Sequence, residues 1–327
     1  MMSEALLEVK KLITAFDTDA GLLRAVDQVS FRVHKRQTVG IVGESGCGKS
    51  VTAMSIVKLL PQPSGRILEG EILFKERNLV TSTAKEMQKI RGNEIGVIFQ
   101  EPMTALNPVH RIGKQLSECF ILHKGMNKKD AWDASMEMLK LVRIPAPESR
   151  ICDYPHQLSG GMRQRIVIAL ALACKPDLII ADEPTTALDV TVQAQILDLI
   201  KEQQDQLGTS MILITHDLGV IAETCDEVVV MYGGRVVERA PVQEIFCQPR
   251  HDYTRGLLAS MPHLDSPRKK PLPVIPGMVA SLQNFVTGCR FCQRMNRQGS
   301  TLRDRPPLKE ISPNHWVEAC PECVETL

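Results

Sequence analysis

The sequence lacks a surplus of charge of either sign. Its 327 residues include 39 Lys plus Arg and 38 Asp plus Glu, which leaves a formal net charge of +1 at pH 7. A domain that binds nucleic acid usually carries a surplus of Lys and Arg. The charge balance therefore gives no support for a nucleic-acid partner, and we expect none.

Long apolar runs are also missing. A membrane-spanning helix needs about 18 consecutive apolar residues, whereas the longest uncharged apolar stretch here, Ile166–Cys174, has nine. The N-terminus MMSEALLEVKK carries charges where a signal peptide would need its apolar core. We therefore expect the chain to stay in the cytoplasm, where it could dock on a membrane protein.

The ten cysteines do not fit a disulfide framework, because such frameworks belong to short secreted chains. Four of the cysteines form two C-x-x-C pairs near the end of the sequence: Cys289, Cys292, Cys320 and Cys323. Two such pairs can supply four thiolates to one metal centre. Unligated thiols in a flexible tail are the alternative interpretation.

Strand patterns predict an α/β fold with a mostly parallel core sheet, because short apolar runs alternate with helical patterns. These runs are Thr38–Val42, Ile95–Phe99, Leu178–Ala181 and Met211–Thr215. Apolar and polar residues alternate in three further segments, which predicts an antiparallel β edge. The three segments are Leu6–Leu12, Val29–Val33 and Gly70–Phe74.

The pattern changes twice along the chain. Helical periodicity without strand signals over Lys114–Val142 predicts an inserted helical subdomain at about residues 101–170. After about Ala240 the periodicity fades, and prolines cluster between Pro262 and Pro276. We therefore predict a main domain at 1–250 and a small, loop-rich C-terminal domain at 251–327.

A phosphate-binding loop is the strongest motif. The octapeptide Gly43, Glu44, Ser45, Gly46, Cys47, Gly48, Lys49 and Ser50 matches G-x-x-x-x-G-K-[ST]. An apolar strand precedes it and a helix-forming run follows, so backbone N–H groups and the helix N-terminus can bind a polyphosphate. Lys49 would reach the β- and γ-phosphates and Ser50 would ligate Mg²⁺. An incidental glycine-rich turn is the weaker interpretation.

Two carboxylates follow another apolar strand, in the stretch Leu178–Pro184. Asp182 is placed to hold Mg²⁺, directly or through water. Glu183 can polarise a water for attack on the γ-phosphate. Two acids after a strand are more often a helix cap, but the phosphate loop in the same chain favours catalysis.

A second anion-binding helix start is predicted at Leu158–Met162. Ser159, Gly160 and Gly161 precede a long helix, so their backbone could hold another phosphate group. One nucleotide does not need two such ends in one chain. A dimer in which each chain completes the other's site would use both.

Together with Ala187-Leu188-Asp189 and His216, these motifs resemble the nucleotide-binding subunit of an ABC transporter. The resemblance spans nearly the whole chain and implies a P-loop NTPase of the ABC ATPase type. It implies that Gln100 touches Mg²⁺ and senses the γ-phosphate, that His216 contacts the γ-phosphate, and that Asp189 belongs to the nucleotide site. Phe16 is the expected adenine-stacking residue, and ATP with Mg²⁺ the expected cofactors.

Two further stretches are similar to the dipeptide, oligopeptide and nickel importer ATPases: Gln100–Pro108 and Pro249–Thr254. Members often have proline where this chain has Asp252. The resemblance implies a peripheral subunit on the cytoplasmic face of the inner membrane. Its partners would be two permease subunits, an extracytoplasmic substrate-binding protein, and a second, related ATPase in a heterodimer, with a homodimer as the alternative.

The resemblance also bears on the cysteines and on competing functions. Several such ATPases carry a 4Fe–4S cluster in this extension, so an iron–sulfur cluster is our first expectation and zinc the second. The spacing departs from the family pattern, since Cys292 comes early and Cys323 would replace a missing ligand.

Peptides are the default substrate, with nickel or sugar oligomers as alternatives. A soluble ABC ATPase acting on DNA or ribosomes is the competing class. Two features count against it, because the sequence has no sustained heptads and only one phosphate loop. An exporter is a nearer rival, which the C-terminal extension disfavours.

Overall fold

The computed structural model describes residues 4–185, 190–261 and 273–324. Its strands are β1 (Ala5–Thr18), β2 (Gly21–His34), β3 (Thr38–Val42), β4 (Gly65–Phe74), β5 (Arg77–Asn78), β6 (Ile95–Ile98), β7 (Leu178–Asp182), β8 (Ser210–Ile214), β9 (Glu227–Tyr232), β10 (Arg235–Pro241), β11 (Leu308–Ser312) and β12 (His315–Glu318). Its α-helices are α1 (Lys49–Ile56), α2 (Ala84–Ile90), α3 (Pro102–Ala105), α4 (Ile112–Lys124), α5 (Lys128–Leu141), α6 (Pro147–Arg150), α7 (Gly160–Leu172), α8 (Val190–Leu207), α9 (Leu218–Thr224), α10 (Val242–Cys247), α11 (Asp252–Ala259) and α12 (Arg290–Arg294). Short 3₁₀ helices occur at Pro155–Gln157, Leu282–Asn284 and Ser300–Leu302.

The chain divides into two compact units. The first consists mainly of Val33–Gln37 and Thr81–Ile214, and the second of Ala5–Arg32, Thr38–Val80 and the C-terminal part from Thr215. The phosphate loop and the residues after 250 therefore belong to the same unit. The division predicted from the sequence, 1–250 and 251–327, stays a prediction. Within the described residues, no helix has both the length and the apolar character of a bilayer span.

The first unit contains three parallel strands and most of the helices. Strand β7 pairs with β6 on one side and β8 on the other, with Ile180 opposite both Val97 and Ile212. All residues of β7 and β8 are buried. Burial on both faces explains their continuous apolar sequence, as is usual for parallel sheets. The strands predicted for this region are confirmed.

The helical stretch of this unit is organised around α4 and α5. Gly125 adopts a left-handed conformation (φ 64°) that ends α4, and the Asn127 side chain accepts N–H groups at the start of α5. The buried hydroxyls of Ser117 and Ser135 lie 3.0 Å apart between the two helices. Described helices, and no described strand, occupy 102–172, where the sequence predicts the helical subdomain.

The second unit contains two sheets. The first has the order β2–β1–β4–β5, and its β1–β4 pair is antiparallel, with Leu7 opposite Phe74. In the other, β3 is parallel to β9, and the antiparallel strands β10, β12 and β11 follow β9 in that order. The structure thus confirms the mixed α/β class, with parallel core strands and an antiparallel β edge.

The C-terminal region is more ordered than its weak periodicity suggests. Strand β12 adds to β10, with Glu238 opposite Val317, and β11 adds to β12. Each added strand has only four or five residues, too few to give a clear alternating pattern. The pairing of β12 with β10 and of β11 with β12, rather than their local sequence, explains why they form.

Candidate nucleotide-binding residues and a four-cysteine site

The phosphate loop of the second unit depends on two glycines. Gly43 has φ 147° and Gly48 has φ 99°, both positive values that side chains other than glycine rarely adopt. A Cβ on Gly43 would lie 2.2 Å from the Met231 carbonyl oxygen, and one on Gly48 would lie 2.7 Å from the Ala25 carbonyl oxygen. Both contacts are with backbone, so neither position could accept alanine without a shift of the chain.

Lys49 is held by its own loop. Its Nζ donates to the carbonyl oxygens of Gly43, at 2.8 Å, and Glu44, at 3.1 Å. The side chain is buried at the start of α1, next to Ser50. A loop that curls around a buried ammonium at a helix N-terminus has the charge and the backbone donors to bind a phosphate group.

The other residues predicted to bind nucleotide in this unit occupy separate elements. Phe16 is half-buried on β1 opposite Gly65, and a Cβ on Gly65 would lie 2.9 Å from its ring. His216 is exposed and precedes α9, which is capped by the side chain of Asp217. The stacking role of Phe16 and the phosphate contact of His216 stay predictions.

In the first unit the structure brings Gln100 and Glu183 together. Asp182 is buried at the end of β7, and Glu183 follows in a left-handed conformation with φ 47°. The Glu183 backbone N–H donates to the Ile214 carbonyl oxygen at 2.8 Å. The Gln100 Nε2 donates to the Glu183 carboxylate at 3.0 Å.

The start of α7 forms a second, exposed helix N-terminus. The Ser159 side chain caps the helix by accepting the Met162 N–H at 3.4 Å. Ser159 and Gly160 are exposed and Gly161 is half-buried. These backbone groups are therefore open to an external anion. Asp189, with Ala187 and Leu188, lies outside the described residues.

The four cysteines of the C-x-x-C pairs meet in the second unit. Cys289 caps α12 and Cys292 lies within that helix, while Cys320 and Cys323 form a turn after β12. All four are at most 1% exposed, and their sulfurs all lie within 4.8 Å of one another. The Sγ of Cys292 is 3.5 Å from that of Cys320 and 3.3 Å from that of Cys323, and the Sγ atoms of Cys289 and Cys323 are 3.7 Å apart.

Two sulfurs of this cluster accept hydrogen bonds from neighbouring polar groups. The Cys292 N–H donates to the Cys289 sulfur at 3.3 Å, and the Arg297 guanidinium donates to the Cys323 sulfur at the same distance. Hydrogen bonds from the other three thiols, that of Cys289 first, lower the pKa of Cys292, and those from Cys289 and Cys323 lower that of Cys320, whereas hydrogen bonds within the cluster raise the pKa of Cys289 and of Cys323. Four buried sulfurs with a guanidinium and an N–H beside them are a donor set that suits a thiophilic metal ion.

Sequence reasoning missed a buried ionic network close to the phosphate loop. Asp27 accepts hydrogen bonds from Arg235 at 2.9 Å and from Arg290 and Arg305 at 2.8 Å each. Burial raises the pKa of Asp27, but Arg235 and the other two guanidinium groups hold it below its ordinary value. Asp27 and Arg235 are 208 residues apart in the sequence, so no local pattern could have identified the pair.

A second network missed by sequence reasoning involves the loop itself. The Glu44 carboxylate accepts a hydrogen bond from Arg294 at 2.5 Å, and the Glu44 N–H donates to the Tyr253 hydroxyl at 2.9 Å. Arg294 lies only two residues after Cys292 in α12. Its proximity to a cysteine pair is the single sequence signal that could have drawn attention to it.

Two segments of the chain match known protein families. Residues 26–186 match the family described as ABC transporter. Residues 237–300 match the family described as oligopeptide/dipeptide transporter, C-terminal region. The two matched segments include the phosphate loop, Asp182 and Glu183, and one C-x-x-C pair.

Curated relatives are similar over nearly the full length. A probable peptide ABC transporter ATP-binding protein, y4tR of Sinorhizobium fredii, is 50% identical over 97% of this chain and 95% of its own. The oligopeptide transport ATP-binding protein OppD of Bacillus subtilis is 51% identical over 96% of this chain and 88% of its own. The dipeptide transport ATP-binding protein DppD of the same species is 53% identical over 96% of this chain and 94% of its own.

Among solved structures, the chain resembles the ATP-binding cassette MJ0796, described as a dimer in a post-hydrolysis state bound to ADP and Pi. The TM-score is 0.65 at 27% identity, over 72% of this chain and 98% of that one. The uncovered part of this chain, about a quarter, is consistent in size with its C-terminal region.

Proposed function

Because this chain belongs to the ATP-binding subunits of the dipeptide and oligopeptide ABC importers, and is thus an ATPase of the ABC type, we propose that it powers the uptake of peptides. The observation that carries the proposal is about 50% identity to peptide-transport ATPases over nearly the whole chain. The match at residues 237–300 supports the peptide class in particular.

The site residues have distinct roles in this proposal. Lys49 and the N–H groups of the phosphate loop bind the β- and γ-phosphates, and Ser50, Asp182 and Gln100 hold Mg²⁺. Glu183 polarises the attacking water, and its hydrogen bond from Gln100 orients the carboxylate. His216 contacts the γ-phosphate, Phe16 stacks on adenine, and Asp189 completes the nucleotide site.

We propose that the active form is a dimer of two such ATPases on the cytoplasmic face of the inner membrane. The exposed start of α7 supports this, because Ser159 and Gly160 present a phosphate-binding end to another molecule. ATP would bridge the phosphate loop of one subunit and Ser159–Gly161 of the other. Closure of the ATPase dimer would change the conformation of two permease subunits, which residues 101–108 would contact. An extracytoplasmic substrate-binding protein would deliver the peptide. A related second ATPase is our first choice, and an identical one the alternative.

Uptake measurements test the proposal. A bacterial strain in which the chromosomal gene has been deleted should lose uptake of a labelled tripeptide, and the wild-type gene should restore it. The Glu183→Gln variant should not restore uptake, whereas the exposed-acid control Asp198→Asn should. Restored uptake of nickel or a sugar oligomer, but not of peptide, would replace the substrate assignment. Co-purification of integral permeases is expected; ribosomes or DNA in their place would overturn the transport role.

The competing classes are not favoured by the comparisons. The named relatives are all peptide-transport ATPases, and none is described as acting on DNA or ribosomes. The match of residues 237–300 to an oligopeptide and dipeptide transporter region also disfavours an exporter.

We also propose that Cys289, Cys292, Cys320 and Cys323 bind one metal ion, with zinc as the first choice. Zinc–sulfur bonds of about 2.3 Å in a tetrahedron place the sulfurs about 3.8 Å apart, close to the 3.3–3.7 Å of three of the sulfur pairs and within the 4.8 Å that bounds all of them. In a 4Fe–4S cluster each thiolate binds a different iron, so the sulfurs lie farther apart. The distances thus favour a single ion over the iron–sulfur cluster expected first from the family. Such an ion would add structural stability to a region with a small core.

Metal analysis of the purified full chain tests this assignment. We expect colourless protein with about one zinc per chain, and loss of zinc in Cys292→Ser but not in Cys247→Ser, which changes an exposed cysteine. Brown protein with iron, labile sulfide and absorption near ~400 nm would establish a cluster and overturn the single ion. Metal-free, stably folded protein would remove the site.

A further inference from the structure

The helix that carries two of the four cysteines also contacts the phosphate loop. α12 has five residues, begins at the Cys289 cap and contains Cys292. Its last residue, Arg294, donates to the Glu44 carboxylate at 2.5 Å. The Arg294 side chain is only 5% exposed, so this ion pair is shielded from water on the arginine side. Charge-assisted hydrogen bonds of this kind are stronger than neutral ones.

A second route runs through aromatic rings. Phe291 of α12 packs against Tyr253 and Tyr232, with ring centroids 5.6 Å and 5.5 Å away. Tyr232 and Tyr253 are themselves 4.7 Å apart. The Tyr253 hydroxyl accepts the Glu44 N–H at 2.9 Å. Glu44 is therefore held at its side chain by Arg294 and at its backbone by a ring that rests on α12.

A third route reaches the other end of the loop. Arg290, the first residue of α12, donates to the Gly233 carbonyl oxygen. The next residue, Gly234, donates its N–H to the Cys47 carbonyl oxygen at 2.9 Å. Thus the same short helix supports the loop at Glu44 and at Cys47. A helix of five residues is not stable alone, so its position depends on the contacts that hold it, among them the two cysteines.

We propose that Arg294 and Tyr253 are positioning residues for the phosphate loop, and that the four-cysteine site sets the affinity of this loop for MgATP through α12. The second part rests on the metal site proposed above. A metal ion bound by the four cysteines would fix both ends of the Cys289–Cys292 turn and so order α12. Without that ion, Arg294 and Phe291 would lose their fixed positions, and Glu44 would lose its support.

Nucleotide affinity of the isolated full chain provides the first test. We expect Arg294→Gln to raise the Kd for a fluorescent ATP analogue roughly three- to tenfold, and Tyr253→Phe to raise it about twofold, as for lost charged and neutral hydrogen bonds. Arg294→Lys should restore part of the affinity, because the charge facing Glu44 remains. Arg303→Gln, which changes an exposed arginine of the same region, should leave the Kd unchanged.

A double-mutant cycle separates positioning from general damage. If Arg294 acts through Glu44, the effects of Arg294→Gln and Glu44→Gln on the Kd should be strongly non-additive. Additive effects, or an unchanged Kd for Arg294→Gln in protein with normal metal content and melting temperature, would overturn the role of Arg294. This result does not depend on whether the metal site exists.

The metal link needs its own comparison. Removal of zinc by a chelator should raise the Kd of the wild-type chain several-fold, and zinc alone should reverse the change. In Arg294→Gln the same treatment should change the Kd much less, because the connection is already broken. An equal response in both proteins would show that the metal does not act through Arg294. Absence of bound metal would disprove the site but leave the double-mutant cycle valid.

Discussion

The two helix starts that could bind phosphate, at α1 and at α7, differ in how they are supported. The loop before α1 is held both by its own backbone and by α12: Lys49 is buried, and Arg294 and Tyr253 hold Glu44. Ser45 and Gly46 at the tip of the loop are exposed. The start of α7 has one capping bond from its own Ser159 and is open to solvent. The comparison shows that one helix start is held by contacts within its own unit and that the other is exposed to solvent; the dimer proposed above would use the exposed one. Binding and hydrolysis should therefore be separable by mutation.

The largest expected effect is on hydrolysis. Replacing Glu183 by Gln keeps the shape of the side chain but removes the general base, so we expect turnover of the assembled transporter to fall by about 10²–10⁴. ATP binding to the isolated chain should persist, because the phosphate loop is unchanged. Steady-state phosphate release and equilibrium binding measure the two quantities, with Asp198→Asn as the control. Near wild-type turnover would contradict the assignment of Glu183.

The next pair of changes separates the two helix starts directly. Lys49→Ala should weaken ATP binding by the isolated chain, since a cation facing the phosphates is lost. Ser159→Arg should leave that binding unchanged but greatly reduce turnover in the assembled transporter, because the open end would no longer accept the partner's nucleotide. We expect the isolated wild-type chain to be mostly monomeric and weakly active. Full-rate hydrolysis that is independent of concentration would contradict the dimer.

The smallest expected effect is a loss of folding stability at acidic pH, which arises from His251 next to Tyr253. His251 is fully buried, and its Nδ1 accepts the Tyr253 N–H at 3.1 Å. Burial lowers its pKa from 6.5 to about 4, although Glu238, Cys320 and Asp252 oppose the shift. Between these values the unfolded chain binds more protons than the folded chain. The free energy of unfolding is therefore highest above pH 6.5, where His251 is neutral in both states, and it decreases as the pH falls toward 4.

At about pH 5 the loss should amount to about 2 kcal/mol in the free energy of unfolding. Urea denaturation at about pH 7.5 and about pH 5 measures it. The His251→Gln variant should lose this part of the pH dependence. An equal pH dependence in both proteins would show that His251 has the same pKa in the folded and unfolded chain.

Local patterns were sufficient for the parallel strands β3, β6, β7 and β8 and for the phosphate loop. Strand β3 has the predicted bounds, Thr38–Val42, because a buried parallel strand is apolar throughout. Gly43 and Gly48 are recognisable because the loop's backbone geometry requires glycine at fixed spacing. The pairing of Gln100 with Glu183 joins residues 83 positions apart, and neither the local sequence pattern nor the family resemblance predicted it.

The sequence by itself determined the α/β class, the phosphate-binding motif and the presence of two cysteine pairs, since each is encoded in residues close together in the chain. Only the tertiary structure decided that all four cysteines converge. It likewise decided that α12, which contains Cys292, supports Glu44 through Arg294. It also decided that β11 and β12 form, since β12 depends on pairing with β10, and β11 on pairing with β12. These features depend on contacts between segments far apart in sequence, and no local periodicity records them.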